Sequence, residues 1–174
     1  MTFSKWLNTL DGILVWVALL AGGAMLLFMT LFSTLNVLVM RKFLNAPIGG
    51  AEDLMVLALV ILVAIAIPFG GRTGAHIEIE VLESRMSARF ARWSMLVLRL
   101  LAGGLMLLMA WELLSAGQKA ARFGETTQQL LISYEPFYYL LAFCVLLYVL
   151  VLVSDVIQLK TTGEIRQIAL GDSL

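Results

Sequence analysis

Charge is scarce in this chain. Only 14% of its 174 residues are charged, with twelve basic and twelve acidic side chains, so the formal net charge is zero. A soluble domain carries nearer a quarter. The charge balance gives no sign of a nucleic-acid partner. Cysteine occurs once, at Cys144. That excludes an internal disulfide and any thiol relay within one chain, and the residue reads as a small buried or lipid-facing group. Histidine also occurs once, at His76. A bis-His haem or a two-His metal site needs more, so neither a cofactor nor a metal is expected. Prolines number three, and only Pro68 falls near the end of an apolar run. Secondary transporters show interrupted helices in matched repeats around a midplane site, and no second half matches Pro68 here.

What remains is grease. Hydrophobic residues make up 61% of the chain and mean hydropathy is +0.95. Four apolar runs account for most of it: Gly12–Met40, Leu54–Phe69, Trp93–Leu114 and Phe137–Leu159. A bilayer core of about 30 Å takes roughly 20 residues per helix. Gly12–Met40 would reach roughly 43 Å and should tilt or project. Leu54–Phe69 alone would reach about 24 Å and needs its flanks. The expected fold is therefore an all-α integral membrane protein. It forms a single membrane domain over 1–174, with spans near 12–40, 52–71, 93–114 and 136–159. The first run is too long for a cleaved signal segment and reads as a retained span. With four spans, Lys5, Arg72, Arg85, Arg89, Arg92, Lys160 and Arg166 share one side. Arg41, Lys42, Lys119 and Arg122 take the other. The excess of basic residues places both termini in the cytoplasm.

The connectors carry the local signals. Residues 42–50 hold Asn45, Pro47 and the pair Gly49-Gly50, which suit a tight re-entry turn. Glu52 and Asp53 then open the second span, where acids complement the free N–H groups and the positive end of the helix dipole. An ion pair with a partner helix is the competing reading. Pro68 predicts a kink or a stop. Between the second and third spans, Ile79, Leu82, Met86, Phe90 and Trp93 fall on one helical face, flanked by Arg85, Arg89 and Arg92. This pattern predicts an amphipathic membrane-surface helix over about 77–92, with its arginines reaching lipid phosphates; a soluble helix packed on another subunit would show the same stripe. Small residues at Ala18, Gly22, Gly23 and at Ala102, Gly103, Gly104 suit close helix approach in lipid. Pro136 suits the first turn of the fourth helix, and Tyr134, Tyr138 and Tyr139 suit an interfacial belt.

Polar chemistry inside the runs is thin. Arg99, Glu112 and Asp155 sit near run ends and read as groups that snorkel to headgroups. Asn36 suits a hydrogen bond between helices or to another subunit. His76, at a helix–loop junction, reads as a hydrogen-bonding anchor. With no buried charge expected, four such helices make no private solute path. A helper to a larger membrane protein fits better than a complete machine. The competing possibility is a stand-alone channel or small exporter built by self-association.

The order of these features resembles a known family. Asn36-Val-Leu-Val-Met-Arg41 closes the first span, Asn45-Ala-Pro47 follows, and Ala51-Glu52-Asp53-Leu54 opens the second. That span leads to Arg72-Thr-Gly74-Ala-His76-Ile77-Glu-Ile-Glu80. Over about residues 10–155 this succession resembles the small membrane subunit of tripartite ATP-independent periplasmic (TRAP) transporters, the DctQ-like family. It departs in having Glu-Asp where two Glu are common, Gly49-Gly50 where an aromatic often stands, and Pro68-Phe-Gly-Gly in place of a plainer helix. The resemblance implies a location in a bacterial inner membrane and two partners. One is a large membrane subunit that carries the substrate and sodium sites and moves as an elevator. The other is a periplasmic substrate-binding protein. It implies uptake of organic acids on a sodium gradient without ATP, and a static bracing role for the small subunit. On this view Asn36, Arg41, Glu52, Asp53, Arg72 and His76 serve the interface with the large subunit. Lys119, Arg122, Glu125 and Gln128 lie where the binding protein docks, and membrane lipids surround the rest.

Overall fold

A computed structural model describes residues 12–72 and 88–161. Four helices fill them: α1 (Gly12–Phe43), α2 (Ala51–Arg72), α3 (Ala88–Phe123) and α4 (Glu135–Thr161). Each contains a stretch long and apolar enough to cross a membrane. Among the described residues there is no strand beyond one isolated bridge, Thr126 with Ser133. Local satisfaction explains why such apolar sequence stays helical. Every backbone group must find an internal partner where no water is present, and helices do this within one segment. Hydroxyls are tied down the same way. Thr30 donates to the Leu26 carbonyl at 2.8 Å, and Ser154 to that of Leu150 at 2.8 Å.

α1 is not uniform. Its backbone widens to π geometry at Ala18–Gly22 and again at Leu35–Phe43. The second widening closes with the Leu44 amide bonding the Val39 carbonyl at 3.0 Å, five residues back. Asn45, at φ 51°, then ends the helix in the left-handed conformation that Asn tolerates. α3 stops by a Schellman arrangement. Gly124 takes φ 63°, and the Glu125 amide reaches the Ala120 carbonyl at 3.0 Å.

One bound differs from the sequence reading, and one local signal resolves. α2 spans Ala51–Arg72, close to the expected 52–71, so Pro68 does not stop it. Pro68 is buried, and behind it Gly71 lies so close to the Tyr148 ring that any Cβ would overlap it. Packing against α4 thus holds the turn that proline weakens. Residues 115–123, assigned to a connector, are helical and extend α3. Alanine, lysine and arginine favour that state, and Gly117 and Ala120 are buried there. Of the expected surface helix over about 77–92, residues 77–87 lie outside the described residues. Residues 88–92 are continuous with α3 rather than separate from it.

The helices form a row in which α1 packs on α2, α2 on α4, and α4 on α3. Half of the most apolar stretch of α4 is buried, against 6% of that of α3, so α4 is the centre and α3 an outer strut. The core gathers around Tyr148, Val151 and Leu152 of α4. Leu14 of α1, Ile67 of α2, and Ala102 and Met106 of α3 pack against it. All four helices therefore meet near the end where α1 and α3 begin and α2 and α4 finish. Their outward faces are apolar. On α4 the exposed residues Tyr139, Phe143, Leu146, Leu150, Val153 and Ile157 recur every three or four positions. Lipid tails solvate such a stripe without cost.

Candidate functional site

At the opposite end, connector 44–50 and connector 124–134 are laced together. α2 begins at this junction, with Gly50 preceding its first residue and the Leu54 amide bonding the Gly50 carbonyl at 3.1 Å. Gly50 has φ 75°, and a Cβ there would run into the Leu130 side chain. Only glycine meets both demands. Its amide donates to the Gln129 Oε1. Asp53, in the first turn of α2, projects from the same edge. Its Oδ2 accepts the amides of Gln129 and Leu130, each at 2.8 Å. Two successive N–H groups on one carboxylate oxygen give a charge-assisted clamp. Beneath it, Thr127 is buried. Its amide bonds the Ile132 carbonyl at 2.9 Å and its Oγ1 accepts the Ile132 amide at 3.1 Å. Leu131 takes φ 54° to turn the chain within this small loop.

Asn36 supports the other connector. Its Oδ1 accepts the Ile48 amide at 2.9 Å. It sits in the second widened stretch of α1, and widened turns recur at sites where a helix redirects a side chain. Between them, Asn36 and Asp53 fix both connectors at the start of α2. The residues around this junction point outward. Arg41, Lys42 and Glu52 are exposed, as are Lys119, Arg122, Glu125 and Gln128. The sequence-predicted set therefore divides. Asn36 and Asp53 are engaged within the chain, while Arg41 and Glu52 present their side chains at its rim. Arg72 ends α2, and His76, Ile79, Leu82, Arg85 and Met86 lie outside the described residues. Arg89 and Arg92 belong to the first turns of α3, where Phe90 and Trp93 are exposed.

Near the other end, one prediction is overturned. Arg99 and Asp155 do not go separately to headgroups. The Arg99 Nη1 meets the Asp155 Oδ2 at 2.8 Å across the α3–α4 contact, and Asp155 is only 2% exposed. A buried charge is present after all, neutralised within the protein. Nothing in the spacing of two residues 56 positions apart shows this, although an ionisable residue within a span is itself a cue to look for its partner. Gln129 and Thr127 were also missed, and Gly50, expected in the re-entry turn, proves in addition to pack against Leu130.

Among the described residues no cluster of His, Cys, Asp or Glu could hold a metal ion. What the chain offers is a rigid, polar ledge on an apolar row of helices. Comparison with known proteins gives this a context. The family model for the DctQ component of tripartite ATP-independent periplasmic transporters matches residues 29–162. No curated protein and no solved structure matches.

Proposed function

The chain belongs to the DctQ component family of tripartite ATP-independent periplasmic transporters, and we propose that it braces the large membrane subunit of such a transporter. The large subunit is the element that moves solute. A periplasmic substrate-binding protein delivers that solute, and a sodium gradient drives the uptake of organic acids. The small subunit stays still, lies in the bacterial inner membrane, and has both termini in the cytoplasm. The observation that carries this reading is the family match over residues 29–162, from within α1 through α4. The row itself supports a bracing role. The buried Asp155 is paired inside the protein, and the outward surfaces of the described helices are apolar, as a frame embedded in lipid or in another subunit requires.

The ledge supplies the contacts. Arg41 and Glu52 engage the large subunit, with Arg72 and His76 doing so at the opposite end. Asn36 and Asp53 serve the same interface from beneath, by holding the connectors in one conformation. Lys119, Arg122, Glu125 and Gln128 meet the binding protein. The segment 77–92 lies against membrane lipid, its arginines at the headgroups.

Reconstitution tests the assignment. Proteoliposomes with this chain alone should move no organic acid under a sodium gradient. Addition of the large subunit and a loaded binding protein should produce uptake. Sodium-dependent flux through the isolated chain would reverse the reading.

A further inference from the structure

The α3–α4 contact poses a physical problem. In lipid no hydrophobic force presses two helices together or holds them in register, so shape and polar contacts must do so. Yet α3 brings a smooth face to α4. Among its described side chains the buried positions are Ala110, Gly117 and Ala120. Ala102 and Met106, partly buried, pack near the core, and Leu113 is half-buried between Ala110 and Gly117. Glycine and alanine permit close approach and put up little resistance to sliding. At Gly117 the fit is steric. A Cβ there would stand 2.9 Å from the Tyr139 ring and 3.3 Å from the Tyr138 Cβ. That closeness allows the contact without attracting it.

Against this background one contact is both directional and short-ranged. Arg99 lies about 9 Å along the helix beyond Trp93, where the α3 span starts, and Asp155 about 6 Å before the α4 span ends at Leu159. Both are inside their spans. We propose that the Arg99–Asp155 ion pair is the clasp that sets the register of α3 on α4. A slip of one helical turn would move the partners about 5.4 Å apart along the axis. That would break a 2.8 Å charge-assisted contact to a carboxylate that is 2% exposed, in a medium where separating buried charges is expensive. Neighbouring registers are thereby disfavoured. The clasp also fixes which way the exposed face of α3, from Trp93 to Trp111, looks out of the row. This inference does not depend on what the assembled transporter carries.

A cross-link at the far end of the contact reads the register. Cys144→Ala removes the native thiol. In a Tyr139→Ala background, which clears the ring 2.9 Å from the new Cβ, Gly117→Cys with Tyr138→Cys then places two thiols at a backbone spacing suited to a disulfide, since the Cβ at 117 would lie 3.3 Å from that of residue 138. The full chain is oxidised in its native membrane and the cross-linked fraction measured. Arg99→Leu and Asp155→Leu should each lower that fraction roughly fivefold, in line with the strength of polar contacts between membrane helices. Arg99→Asp combined with Asp155→Arg should restore it. Parental yield in either single variant would mean that the two charges reach headgroups separately, and would overturn the proposal. So would a swapped pair that cross-links no better than the single variants.

Discussion

Gly71 and Asp53 show how much rests on single positions. At Gly71 the α2 backbone touches the Tyr148 ring, with no room for a side chain. Gly71→Val should lower the thermal midpoint of the purified chain, at a cost of about 1–3 kcal/mol for overpacking. Tyr148→Ala in the same chain should recover part of that loss, as expected for residues in direct contact. Equal destabilisation with and without the Tyr148 ring would show that the two do not meet. Asp53 acts through its acceptor oxygen, which holds the amides of Gln129 and Leu130. Asp53→Ala should speed hydrogen exchange at those two amides about tenfold, the factor expected from losing one ordinary hydrogen bond. Asp53→Asn, which keeps an acceptor oxygen, should do less. Glu52→Ala, at an exposed neighbour, should leave both amides protected. If all three variants exchange alike, the clamp is not what orders the loop.

Among the elements, α3 departs furthest from the pattern in the sequence. The run Trp93–Leu114 ends where apolar residues thin out, yet the helix continues to Phe123. Hydropathy marks where lipid stops, and helix propensity with packing marks where the helix stops. Ala120 separates the two. It is completely buried, and Ala120→Pro should remove a helix bond and cost about 3 kcal/mol or more. A fall in helix signal by circular dichroism, with a lower midpoint, is the expected result. A neutral Ala120→Pro would return residues 115–123 to a connector. α2 shows the converse case. Pro68 predicts a kink or a stop, and the helix runs past it to Arg72, where Gly71 lies in close contact with α4. The small residues singled out in the sequence fared unevenly. Gly22 does meet Leu62 of α2, while Gly103 and Gly104 have no neighbour within 4 Å of a would-be Cβ. Small side chains permit contact, and only the arrangement of the row says where it happens.

At the scale of the molecule, four helices place two functional ends on one frame. The ends differ in what binds them. Backbone-to-side-chain hydrogen bonds tie the connector end, while apolar packing and one ion pair tie the terminal end. The proposed orientation puts the connector end in the periplasm. In a Cys144→Ala chain, Lys119→Cys should therefore react with a membrane-impermeant maleimide added to intact spheroplasts. Labelling only after permeabilisation would invert the topology. Glu52→Ala and Arg41→Ala, both at the exposed rim, should reduce co-purification of the large subunit without changing the thermal midpoint of the chain alone. Undiminished recovery would remove these residues from the interface.

Composition and the spacing of apolar runs were enough to establish four membrane helices and their approximate positions, because transfer into lipid depends on side chains summed along a segment. The order of polar residues from Asn36 to Glu80 pointed to the family that the chain joins. Pairings were beyond reach of the linear pattern. That Asp53 grips the loop at Gln129, that Gly71 makes way for Tyr148, and that Arg99 finds Asp155 depend on how helices distant in the chain lie side by side. Those relations arise from short-range contact geometry, and only the folded row of helices brings the groups within that range.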